Sequence, residues 1–192
     1  GFDFTLHGES IGFIGFGSLA RNLMQLLQPF HCRVKAYDPW LPDSFLLEMG
    51  AEPATLEEVL SESRIVYVMA VPTAENKGLI DREKLAMMRK KALLVLISRA
   101  HLVDFDALTE AVLQGDIQAA IDVFPEEPLP LDHPIRQAPN VILSAHRAAA
   151  IATEHRTIGD MVVDDLELMS KSWPPARLQR AEPELIVRRL GK

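Results

Sequence analysis

The residues best placed to do chemistry begin with the turn Gly15-Phe16-Gly17-Ser18-Leu19-Ala20. Such a glycine pattern is weak by itself, because glycines also serve ordinary tight turns. Its setting sorts it. An apolar run at 11–14 precedes the turn and a helical pattern follows. Gly15 then permits the tight bend, Gly17 lets backbone N–H groups approach a pyrophosphate at the helix N-terminus, and Ala20 takes the place of a third glycine. Asp38 closes the next apolar run. A carboxylate there accepts hydrogen bonds from adenosine ribose hydroxyls and repels a 2′-phosphate, so the pattern predicts a dinucleotide site that favours NAD over NADP.

Three further residues stand just past later apolar runs: Arg99, Glu127 and His146. An arginine holds a carboxylate by a bidentate fork, a histidine gives or takes a proton near neutral pH, and a glutamate beside it stabilises the imidazolium. Singly, each has an ordinary reading as a surface, loop or capping residue. Jointly, at three expected strand ends, they are the equipment for reducing a 2-oxo acid. The nicotinamide supplies a hydride, His146 a proton, and Arg99 anchors the substrate carboxylate.

The elements that must position these residues are legible as periodicity. Apolar runs at 11–14, 34–37, 65–70, 93–97, 119–123 and 141–143 predict about six strands buried on both faces. Between them, 18–27 has helical spacing, Thr55-Leu56-Glu57-Glu58 has the form of a capping box, and Asp81 and Asp104 can cap two more helices. Strand and helix alternating at this pace predict an α/β fold, a Rossmann-type doubly wound parallel sheet whose ligands sit at the carboxyl strand ends. The proline-rich stretch 125–134 must be an irregular loop, and a long helix is expected from about 148 to 169.

Composition sets the outer bounds. The 192 residues are 48% hydrophobic and 24% charged, the balance of a globular chain with one main core. A net charge of -7 argues against a nucleic-acid partner. Cys32 is the lone cysteine, which excludes an internal disulfide and points to a cytoplasmic setting. No run is apolar enough to span a membrane, and no cysteine cluster suggests a metal site.

Longer stretches carry a resemblance. Gly12-Phe13-Ile14-Gly15-Phe16-Gly17, Ala36-Tyr37-Asp38-Pro39, Leu96-Ile97-Ser98-Arg99, Leu102-Val103-Asp104, Asp122-Val123-Phe124-Pro125-Glu126-Glu127-Pro128-Leu129 and Asn140-Val141-Ile142-Leu143-Ser144-Ala145-His146 occur in this order. The chain resembles the D-2-hydroxy acid dehydrogenase family, which includes D-3-phosphoglycerate dehydrogenase. The resemblance implies that Arg99 binds the substrate carboxylate, that His146 is the acid/base and that Glu127 is its partner. It also places Asp122 by the nicotinamide carboxamide and lines the cofactor with Val71, Pro72 and Thr73, with Ser18, Leu19 and Ser98 beside them. Departures stand near the reacting centre: Ala100-His101 where the family has Gly after the arginine, and Ala145 where it has Pro before the histidine. Ser18 replaces a residue that is often Arg, which predicts a looser hold on the pyrophosphate.

The resemblance also implies a domain plan. Residues 1–173 are expected to form the NAD-binding domain, and 174–192 a tail that returns to a separate substrate domain largely absent from this chain. The isolated chain is then expected to bind NADH with little or no turnover. Relatives also dimerise through this domain, so a homodimer is expected, although the apolar stripe of the 148–169 helix equally suits intrachain core. The alternative function is an NAD(H)-sensing co-regulator of the same fold without significant turnover. Formate dehydrogenases are disfavoured, because they pair the histidine with Gln where this chain has Glu127.

Overall fold

Strands apolar on both faces bury their surface when helical crossovers return each one parallel to the last. The computed structural model, which describes residues 4–179, has this arrangement. Its strands are β1 (Ser10–Ile14), β2 (Arg33–Tyr37), β3 (Glu52–Pro53), β4 (Ile65–Val68), β5 (Leu93–Leu96), β6 (Gln118–Ile121) and β7 (Val141–Leu143). They form one parallel sheet in the order β3-β2-β1-β4-β5-β6-β7. The fold is the α/β Rossmann type that the periodicity implies, with seven strands where six were expected. The seventh is β3, two residues too short to show a period; its Pro53 is tolerated because β3 lies on the sheet edge. At the other edge β7 is not buried on both faces as expected, and Ile142 is 54% exposed.

Five helices cross the sheet: α1 (Ser18–Leu27), α2 (Asp43–Glu48), α3 (Leu56–Glu62), α4 (Arg82–Ala86) and α5 (Phe105–Gln114). Three begin where the sequence places a cap. Thr55 and Glu58 form a reciprocal capping box on α3, while the Asp81 and Asp104 carboxylates accept the N–H groups of Lys84 and Ala107. The core divides into two clusters. One gathers Ile11, Phe13, Phe16, Val34 and Leu46, and the other Val59, Leu60, Val66, Leu94, Leu108 and Ile121.

The register decides where the site residues emerge. Ile14 pairs with both Tyr37 and Val68, Val68 with Leu96, Leu96 with Ile121 and Ile121 with Leu143. Five strands therefore end level with β1, and the loops that follow them share one edge.

The chain falls into two compact units that part between Ala145 and His146. The first holds the sheet and the five helices above. The second contains α6 (Ala152–Ser170), which begins four residues after Ala148. Within this unit the buried Asp165 carboxylate accepts N–H bonds from Ala176, Arg177 and Leu178 at 2.8, 2.9 and 2.8 Å, and Arg177 pairs with Asp164. Ile158, Val162, Leu166 and Met169 on α6 are exposed, so among the described residues this stripe is not core. Of the tail expected at 174–192, residues 180–192 lie outside the described residues. Among the described residues no helix is long and apolar enough to cross a membrane.

Candidate cofactor site

The strand order turns back at β1 and β4, and ligands of doubly wound sheets bind outside the carboxyl ends at such a switch point. Here the chain is drawn very close. Gly15 has φ +88°, and a Cβ on it would lie 2.4 Å from Ala70 Cα and 2.5 Å from Ala70 N. No side chain fits, so only glycine lets the turn after β1 lie against the end of β4. The Gly15 N–H donates to Tyr37 O at 2.9 Å, which ties the turn to β2 as well.

Gly17 differs. Its φ of -72° suits any residue, and a Cβ there would meet nothing within 4 Å. It is the N-cap of α1, which has neither a side-chain cap nor an acidic residue in its first turn. Each of the other described α-helices has one or the other. This end has no side-chain cap and open space beside Gly17, and with the partial positive charge of a helix N-terminus it suits a pyrophosphate. Ser18 and the exposed Leu19 form its rim.

Asp38 lies just beyond β2 and holds the turn from the other side. Its Oδ2 accepts the Phe16 N–H at 2.7 Å and its Oδ1 the Trp40 N–H at 3.0 Å. Each carboxylate oxygen has capacity for a second bond, so ribose hydroxyls fit without displacing either contact. The donor set matches a dinucleotide: backbone N–H groups for phosphate and a half-buried carboxylate for ribose.

The segments after β4 and β5 are fastened together. Ser98 Oγ donates to Ala70 O at 2.5 Å, so its proton is spent on the protein backbone. The Arg99 side chain is exposed and donates to Ser98 O at 2.7 Å. Val71, Pro72 and Thr73 follow Ala70, with Thr73 buried. Asn76, which the sequence reading missed, accepts the Thr73 N–H through Oδ1 and donates to Val71 O through Nδ2, both at 2.8 Å. The signal for it was the Thr73-x-x-Asn76 spacing, the reach of a capping box. Gly78 N–H donates to His101 O at 2.7 Å, and Ile80 pairs with Val103 in a single parallel bridge. Partial burial and then the Lys77 and Arg99 cations hold the His101 imidazole below its ordinary pKa.

Two expected residues lie in or near the loop after β6. Asp122 is 4% exposed and its N–H donates to Leu96 O at 3.0 Å, so it sits at the strand end. Glu127 is exposed on the irregular loop and accepts the Phe124 N–H at 3.0 Å. The first unit thus brings Gly15, Gly17, Asp38, 70–73, Ser98, Arg99 and Asp122 to one sheet edge. His146 is the first residue of the second unit, three positions past β7, with a left-handed φ of 51°.

The description "D-isomer specific 2-hydroxyacid dehydrogenase, NAD binding domain" matches residues 2–148. The chain belongs to this family. It is the family's NAD-binding domain, and NAD is its cofactor. A phosphoglycerate oxidoreductase from Rhizobium etli shares 47% identity and a TM-score of 0.82, over 93% of this chain and 54% of that one. A glyoxylate reductase from Pyrococcus furiosus is 33% identical over 93% of this chain and 53% of its own length. A D-3-phosphoglycerate dehydrogenase from Methanocaldococcus jannaschii is 31% identical over 84% of this chain and 31% of its own. The chain therefore spans about half, or less, of the relatives it matches.

Proposed function

We propose that this chain is the cofactor half of an oxidoreductase that moves a hydride between NAD(H) and a D-2-hydroxy acid or its 2-oxo acid. The observation that carries the reading is the uncapped N-terminus of α1 over the open face of Gly17, with the Asp38 carboxylate beside the same turn. Bound NADH supplies a hydride to the carbonyl carbon of the 2-oxo acid. Arg99 grips the substrate carboxylate, and its exposed guanidinium at the end of β5 supports that role. His146 delivers the proton to the carbonyl oxygen, and Glu127 steadies the imidazolium that the reverse direction creates; the family resemblance supports both roles. Asp122, Ser98, Ser18, Leu19 and 71–73 line the cofactor in this reading.

Titration of the chain with NADH by calorimetry tests the cofactor site, and no heat at millimolar ligand overturns it. In the whole protein, replacing His146 with Ala should remove most 2-oxo acid reduction, and unchanged turnover would overturn its role as acid/base. A whole protein that reduces no 2-oxo acid while NADH shifts its dimerisation would instead mark a co-regulator. We also propose that a second copy covers the exposed apolar stripe of α6, as the resemblance implies.

A further inference from the structure

The loop after β4 presents an unusual problem to its own backbone. Pro72 has no N–H, and the neighbouring polar groups, Val71 C=O and Thr73 N–H, lie outside any strand or helix. One side chain satisfies both. The Asn76 amide accepts from Thr73 and donates to Val71, and this orientation is fixed, because a backbone N–H only donates and a carbonyl only accepts. Ser98 takes the carbonyl of Ala70 just upstream. Two residues after Asn76, Gly78 bonds to His101, and the Ile80 N–H donates to Leu102 while Ile80 O accepts from Asp104. The loop from 70 to 80 is thus pinned at both ends to the turn that carries Arg99, and the Asn76 side chain ties its middle.

We propose that Asn76 is a positioning residue: its amide holds Val71, Pro72 and Thr73 in the shape that receives the cofactor, in a loop whose ends other residues fasten to the Arg99 turn. This rests on the reading that 71–73 line the cofactor. A loop ordered in advance spares the bound state the entropy of ordering it, so the contribution is to affinity. Asn76→Ala leaves a buried-side N–H and carbonyl to reorganise, whereas Asn76→Asp keeps the acceptor for Thr73 and loses the donor to Val71.

The test is NADH affinity of the 192-residue chain, measured well below its melting temperature. Asn76→Ala should raise Kd about tenfold, Asn76→Asp, whose second carboxylate oxygen would face Val71 O, should raise it at least as far, and amide exchange should quicken at 71–75. Val71→Asp, which sets a carboxylate against an anionic cofactor, serves as the control for the underlying reading and should abolish binding. If Val71→Asp abolishes binding while Asn76→Ala stays within twofold of the parent, the positioning role is overturned and the lining role stands. An Asn76→Ala chain that melts lower with unchanged Kd also overturns it. If Val71→Asp binds normally, the lining role fails and the proposal with it. Should Asn76→Ala not fold, the Asn76→Asp affinity decides.

Discussion

Two glycines two positions apart have opposite reasons to be glycine. At Gly15 both the backbone angle and the contact with Ala70 forbid a side chain, so Gly15→Ala should cost about 2 kcal/mol or more and lower the melting temperature by several degrees. At Gly17 neither constraint exists within the protein, and an added methyl would enter only the open space proposed for the cofactor. Gly17→Ala should therefore melt within about 1 °C of the parent while NADH binding weakens at least about tenfold; calorimetry and thermal melting of the pair separate the two roles. The glycines were legible in the sequence because a dinucleotide turn demands them at fixed spacing. Ser98 was not legible as a brace, because which loop carbonyl its hydroxyl reaches depends on the register of β4 against β5, whereas Asn76 left a local sign in the Thr73-x-x-Asn76 spacing.

At the scale of elements, legibility followed length and local chemistry. The caps at Thr55, Asp81 and Asp104 could be read because each bonds only three residues ahead. Removing one, Asp104→Ala, should cost about 1 kcal/mol and shift the melting temperature by about 2–4 °C. β3 could not be read, since two residues have no period, and the exposure of Ile142 follows from β7 being an edge, which only strand order reveals. In the second unit, burial pushes the Asp165 carboxyl up, but three backbone N–H bonds outweigh it and hold the pKa below the ordinary value. A lowered folded pKa means that the carboxylate contributes fully above the ordinary Asp value of about 3.9 and that the contribution is lost as pH falls through the lower folded value. The return of 173–178 along α6 should therefore loosen only below about pH 4, and Asp165→Asn should loosen it at neutral pH. Near-UV circular dichroism of Trp173 reports both.

For the whole molecule, periodicity made the parallel sheet legible, whereas the parting of the chain at Ala145 and His146 left no mark in composition. The exposed stripe of α6 leads to a prediction at this scale. The chain should sediment as a dimer at micromolar concentration, and Leu166→Arg should shift it to monomer while NADH binding in the first unit persists; a parent that sediments as a strict monomer removes the interface. The Asp38 carboxylate, finally, joins two properties that engineers usually treat as separable. Because it staples Phe16 and Trp40, a replacement made on the proposal that it also meets the ribose, to admit a 2′-phosphorylated cofactor, would unfasten the glycine turn. On that proposal, cofactor preference is inherited together with the rigidity of the turn, and a switch of preference should require a second change that re-anchors the Phe16 N–H.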